Sequence, residues 1–88
     1  MDLTVETKQY QFSASSSFDY IVVFLANNLN QNPYMGTYHD LTKQEIQELI
    51  EYLKKNNYGD GRDFWIIDRL TSMVMLMESE EKAIFHFW

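Results

Sequence analysis

The sequence predicts a single small α+β domain, with two helices packed on an antiparallel sheet of three or four strands in the order β-α-α-β-β-β. Eighty-eight residues suit one hydrophobic core. Hydrophobic residues make up 45% of the chain, which is too much apolar surface for a disordered segment. The spacing of these residues alternates near both ends and has helical periodicity in the middle, which indicates both strands and helices.

The first element is expected to be an extended segment over residues 3–14. Its apolar positions change parity along the segment, from the odd positions of Leu3 and Val5 to even positions further on. A side chain that changes parity in a strand changes face, so a bulge or a break near residues 7–9 would explain the pattern.

Helix one is expected to start near Phe18. Serines at 13–17 offer an N-cap, and Ser16 with Asp19 forms a weaker variant of the capping box. The apolar residues that follow have helical spacing, although the β-branched run 21–23 would also suit a buried strand. We favour the helix.

The segment between the two helices is expected to be a loop. Four asparagines, Pro33 and Gly36 are typical of turns and end helix one. The loop would carry Tyr34, Tyr38 and His39.

Helix two has the strongest local signals. Thr42 and Glu45 form a capping box at its start, and the helix should run to about Asn56. Glu51 and Lys55 are placed for a helical ion pair. One apolar stripe is formed by Ile46, Leu49, Ile50 and Leu53.

Residues 64–78 fit two interpretations. A helical stripe capped by Asp63 is possible, but the enrichment in Trp, Ile and Val and a polar break in the middle favour two strands, near 64–69 and 72–78. A polar turn at 78–81 and a returning strand at 82–88 would complete the sheet.

In the hairpin predicted from these strands, Met77 would pair with Lys82. Both faces of the hairpin would then be apolar, although a sheet with helices on one side normally has a solvated second face. Helix one or another chain would have to cover that face. We therefore predict a contact surface for a partner or a second copy, with a core strand between the two helices as the alternative. The predicted surface consists of Met73, Met75, Met77, Ile84 and Trp88.

The sequence contains no recognisable catalytic, metal or nucleotide site. It has no cysteine, and its only histidines, His39 and His86, are 47 positions apart, which gives no chelating spacing. His39 beside Asp40 and His86 between two phenylalanines both fit structural roles better than that of a catalytic base. We expect a non-enzymatic protein without cofactors.

We expect a cytoplasmic location. We expect neither insertion into a membrane nor secretion. The chain starts without a basic region followed by an apolar core, and its longest apolar run, residues 20–26, is far short of a membrane span. The absence of cysteine fits a reducing compartment.

Thirteen acidic residues against seven basic ones give a net charge of −6. This charge repels phosphate backbones and disfavours direct binding to nucleic acid. An acidic surface can serve solubility alone. It can also meet a basic partner protein, and the contributors would then be the acids not already paired along a helix. Those acids are Asp60, Asp63, Glu78, Glu80 and Glu81.

No family motif is present, but the composition of the whole chain resembles that of a class of proteins. Short, acidic, cysteine-free chains without catalytic residues are similar to the small inhibitor proteins that phages make against host nucleases and defence systems, such as anti-CRISPR proteins. The resemblance implies a binding function, with carboxylates in place of phosphates against a basic groove of the partner. The chain departs from a strong nucleic-acid mimic because helix two is neutral and because Lys and Arg are interspersed among the acids.

The alternative is an antitoxin-type or immunity-type module, or a homodimeric adaptor, that binds through an apolar sheet face. The sequence leaves open whether the acidic turns or that face carries binding.

Overall fold

The computed structural model describes residues 1–56 and 64–88 as an α+β domain, so the predicted site residues Asp60 and Asp63 lie outside the described part. The described part has three helices, where two were predicted. In chain order the elements are β1 (Leu3–Glu6), β2 (Gln11–Ala14), α1 (Asp19–Asn28), β3 (Tyr38–Thr42), α2 (Lys43–Lys55), α3 (Phe64–Leu76) and β4 (Lys82–Phe87). The four strands form one antiparallel sheet in the order β2-β1-β4-β3.

Strands β1 and β2 form the predicted extended segment with its break. The Thr7 amide donates to the Tyr10 carbonyl at 2.8 Å and closes the turn between the strands. Leu3 and Phe12 are both buried, although one has an odd and the other an even position. The change of parity therefore marks a hairpin turn, which returns the chain with its apolar side chains on the same face.

Helix α1 begins close to the predicted start, but the serine cap is wrong. Its N-cap is Phe18, which makes no side-chain capping hydrogen bond. The amides of Ile21 and Val22 donate to the Phe18 carbonyl instead. Ser17 has a φ of 68°, a left-handed conformation that turns the chain into the helix.

Residues 38–42 form strand β3, so the loop predicted for this segment is wrong at its C-terminal end. The strand pairs with β4, with His39 opposite Phe85 and Leu41 opposite Ala83. Gly36 has a φ of +94°, a conformation that glycine adopts easily, and its amide donates to the Phe87 carbonyl at 2.7 Å. The chain can therefore turn into the sheet directly after the Asn-rich segment.

Helix α2 confirms the predicted capping box. Thr42 Oγ1 accepts from the Glu45 amide at 3.1 Å, and Glu45 Oε1 accepts from the Thr42 amide at 2.9 Å. The apolar stripe is buried as predicted. The ion pair differs from the expected one, since Glu51 lies 3.9 Å from Lys54 and both side chains are well exposed.

Residues 64–76 form helix α3, so the two strands predicted near 64–69 and 72–78 are wrong, as is the hairpin that paired Met77 with Lys82. The buried positions follow the helical spacing that the strand interpretation set aside. They are Ile66, Ile67, Leu70, Met73, Val74 and Met77. Burial of this stripe outweighs the strand preference of Trp, Ile and Val, which reflects packing more than the backbone.

Strand β4 confirms the predicted final strand and lies inside the sheet between β1 and β3. Its residues Ala83, Phe85 and Phe87 are buried against the helices, and those between them point to the other face. Among the described residues, the helices pack only on the face that carries Ala83, Phe85 and Phe87. Helix α1 therefore does not cover the opposite face. Residues 1–56 and 64–88 thus form two layers and leave the second face of the sheet open.

Candidate functional site

An open groove of about 580 Å³ lies at one end of the sheet, where the turn between β1 and β2 meets the turn between α3 and β4. Glu6 at the end of β1 stands opposite Ile84 of β4 in the sheet register. The groove gathers four carboxylates and two ammonium groups. Its lining residues are Glu6, Thr7, Lys8, Glu78, Glu80, Glu81, Lys82 and Ile84.

Glu81 holds the two turns of the groove together. Its Oε2 accepts from the Lys8 amide at 3.1 Å, and its Oε1 accepts from the Glu78 amide at 3.2 Å. The Glu81 amide donates in return to the Glu78 carbonyl at 3.1 Å. Of the three acids predicted in this turn, Glu81 therefore has a carboxylate that backbone amides already hold.

Among the described residues, the other acids of the groove form no ion pair, although Lys8 and Lys82 also line it. Within the described ranges, 1–56 and 64–88, no Lys, Arg or His nitrogen lies within 4.0 Å of the carboxylate oxygens of Glu6, Glu78 or Glu80. All three residues are exposed. Their negative charge is thus directed to solvent and is available to a ligand or partner.

The open face of the sheet continues from this groove. Two cross-strand rows run over it, one through Glu6, Ile84 and Asp40 and the next through Thr4, His86 and Tyr38. Trp88 follows directly after β4, and its Nε1 donates to Thr4 Oγ1 at 2.9 Å. The face therefore changes from acidic beside the groove to aromatic at the far end.

Tyr38 and His86 form a parallel ring stack in the second row. Their ring centroids are 4.0 Å apart and their planes differ by 5°. Tyr38 is 66% exposed and Trp88 is 50% exposed. Because β3 is an edge strand, the face of Tyr38 that does not contact His86 points to the edge of the sheet and to solvent.

The five residues of the predicted apolar contact surface do not share one face. Met73 and Met77 are buried in the core, and Met75 on α3 is 79% exposed. Ile84 and Trp88 belong to the open face of the sheet. The grouping was wrong because it rested on a hairpin that is a helix in the structure, and a contact with a partner stays a prediction for each of the five.

His39 lies on strand β3 and not in the predicted loop, and its contacts are structural. It is buried, with Nδ1 2.5 Å from Gln31 Oε1 and Nε2 2.8 Å from Thr37 Oγ1. Burial lowers the pKa of His39, and the nearby Asp40 carboxylate opposes this effect. Both ring nitrogens are engaged in holding the Asn-rich segment to the sheet.

Sequence reasoning found the acidic turn of the site but missed Glu6, Asp40 and Tyr38. The alternation of Tyr38 to Thr42 around an apolar Leu41 was a signal for an exposed strand face, although the preceding turn residues obscured it. No local signal could have placed Glu6 beside the acidic turn, since their proximity depends on the pairing of β1 with β4, which lie at opposite ends of the sequence.

The described part of the chain contains no cluster of three or more His, Asp or Glu side chains that could hold a metal ion. Nor is any helix there long and apolar enough to cross a membrane. Comparison with protein-family models, with curated proteins and with solved structures gave no significant match.

Proposed function

We propose that this protein is a non-enzymatic inhibitor that binds a basic, nucleic-acid-binding surface of a partner protein, as phage anti-defence proteins do. The observation that carries the proposal is the open groove, in which four carboxylates outnumber two ammonium groups and Glu6, Glu78 and Glu80 form no ion pair among the described residues. The net charge of −6 acts in the same direction. Such a field raises the rate of encounter with a basic surface and repels nucleic acid.

The groove suits binding better than acid–base catalysis. Catalytic carboxylates generally need burial or close like charges that separate their pKa values. Glu6, Glu78 and Glu80 are exposed, and Glu81 is held by backbone amides. The histidines are engaged elsewhere, His39 with Gln31 and Thr37 and His86 in the stack with Tyr38.

The partner for the test is obtained from a cell lysate. It is the protein that binds to this protein on a column and that salt elutes from it. Its association is measured with two double variants that change the net charge equally, Glu78→Lys/Glu80→Lys in the groove and Glu48→Lys/Asp68→Lys on the helices. Glu48 and Asp68 are exposed on α2 and α3. Glu81 is left intact because its carboxylate holds the turn.

The groove variant should slow association at least about tenfold and flatten its dependence on salt, because charges at the rim of an interface act mainly on the encounter rate. The helix variant should change the rate about twofold or less. If both variants slowed association equally, net charge alone would explain the effect, and a role for the groove would be contradicted.

A competition experiment tests inhibition itself. A labelled oligonucleotide bound to the partner should be displaced by the wild-type protein and not by the groove variant. A stable ternary complex of partner, oligonucleotide and this protein would show that the nucleic-acid surface is not blocked.

A further inference from the structure

The aromatic end of the open sheet face has the features of a binding site for arginine side chains. We propose that Tyr38 stacks against a guanidinium group of the basic partner, that Trp88 on the β1 side of β4 offers a second exposed ring, and that Asp40 and Glu6 pair with the positive charge. This inference rests on the proposed function. It specifies which side chains of the basic partner would bind at the aromatic end of the open face.

Ring geometry is the first argument. Tyr38 is held parallel to His86 at 4.0 Å, and Trp88 is oriented by its hydrogen bond to Thr4 Oγ1. Rings that are fixed before binding lose little conformational entropy when a ligand stacks on them. A planar guanidinium is attracted to the face of such rings.

The placement of charge is the second argument. Asp40 is two residues from Tyr38 on the same strand and the same face, which corresponds to about 7 Å along a strand. Glu6 lies in the same cross-strand row as Asp40, with Ile84 between them. A guanidinium on the Tyr38 ring would therefore have a carboxylate within reach of its N–H groups, and a carboxylate accepts such a pair of donors in a bidentate geometry.

Other occupants fit these charges less well. Single-stranded nucleic acid also stacks on exposed aromatic rings of a sheet, but Glu6, Asp40 and the acidic groove would repel its phosphates. A second copy docked face to face would enclose the carboxylates of both chains in one interface, since a two-fold contact uses the same patch on each subunit. A lysine ammonium is more strongly hydrated than a guanidinium and does not stack as a plane.

The test compares a labelled oligoarginine peptide with an oligolysine peptide of equal length and charge by fluorescence anisotropy at low salt. The wild-type protein should bind oligoarginine about two- to fivefold more tightly for each ring engaged, which is the effect of an exposed cation–π contact. Tyr38→Leu should lower this preference by the factor expected for one ring, and Tyr38→Phe should keep it because the ring face remains. Tyr34→Leu is the matched control, since Tyr34 is 60% exposed in the segment before β3.

The results separate this inference from the proposed function. Glu78→Gln/Glu80→Gln should weaken the binding of both peptides alike, whereas Tyr38→Leu should weaken oligoarginine alone. Equal affinities of the wild type for the two peptides, or a preference that survives both Tyr38→Leu and Trp88→Leu, would overturn the arginine site and leave the groove proposal standing. Tyr38-dependent binding of oligothymidine, or Tyr38-dependent dimerisation in sedimentation, would overturn it in favour of nucleic acid or of a second copy.

Discussion

His39 has a hydrogen-bond environment that its neighbours largely determine. The Thr37 hydroxyl donates to the Tyr34 carbonyl at 2.7 Å, so its oxygen can only accept from His39 Nε2. In a neutral ring Nδ1 must then accept from the Gln31 side-chain amide, which can present either its nitrogen or its oxygen after a half-turn. An imidazolium would instead donate from both nitrogens, but burial opposes its charge and lowers the pKa of His39.

Acidification should therefore destabilise the domain through His39. The unfolded chain takes up the proton near the ordinary histidine pKa of about 6.5, whereas the folded protein takes it up at lower pH. The stability that depends on neutral His39 is fully present above about pH 6.5 and is lost as the pH falls toward the lower pKa of the folded state. Urea unfolding at about pH 7.5 and about pH 5.5 should show a smaller loss of unfolding free energy for His39→Gln than for the wild type.

The comparison of the two losses removes the contributions of the other titratable groups, which the variant shares with the wild type. Parallel losses in both proteins would mean that His39 titrates alike in the folded and unfolded chains.

Helix α3 shows how one element can satisfy two patterns. Methionines at 73, 75 and 77 alternate as in a strand, and on that interpretation all three share a face. As part of a helix and its C-terminal end, Met73 and Met77 are buried while Met75 is 79% exposed. The two interpretations assign different environments to side chains of the same type.

Matched truncations distinguish the two interpretations of this segment. Met73→Ala should lower the free energy of unfolding by about 2 to 5 kcal/mol, because it leaves a cavity in the core. Met75→Ala should change it by less than about 0.5 kcal/mol, the usual range at an exposed position. Equal losses in the two variants, measured by urea denaturation, would support the strand interpretation.

Local signals explain which elements the sequence could predict. The capping box of α2 and the change of parity between β1 and β2 depend on residues close together in the chain, and both were confirmed. The polar turn at 78–81 was also confirmed. The prediction of strands at α3 was wrong because a complete helical stripe determines the structure there more than the strand preference of its residues does. The sequence does not reveal β3 because its alternation follows directly after turn residues.

The candidate site shows the same limit at longer range. Glu78 and Glu80 were found because a run of acids is visible in the sequence. Their combination with Glu6 and with the aromatic row depends on the position of β4 between β1 and β3, which no local pattern records. Side chains from opposite ends of the chain could be brought together only once the sheet order was known.

At the scale of the whole molecule, the residues that stabilise the fold and the charged residues lie in different parts of the two-layer domain. The helices and one face of the sheet form the core, while the groove and the open face carry more carboxylates than ammonium groups. Among the described residues the only ion pair is Glu51 with Lys54, and both of its side chains are exposed. Self-repulsion should therefore outweigh attraction between charges in the folded domain.

Moderate salt should consequently stabilise this domain. An increase from about 10 mM to about 150 mM NaCl shortens the screening length from about 30 Å to about 8 Å, which weakens repulsion across the acidic face. The unfolded chain spreads the same charges over a larger volume and gains less. The free energy of unfolding in urea, which adds no charge, should rise by a few tenths to about 1 kcal/mol, the scale of exposed charge interactions.

The variant Glu78→Gln/Glu80→Gln provides the control for this salt effect. Two of the unpaired carboxylates are removed, so the variant should be more stable than the wild type at low salt and should gain less stability as salt is added. If salt lowered the stability of the wild type instead, attractive ion pairs would dominate its surface, and the acidic groove would not hold the uncompensated charge on which binding to a basic partner depends.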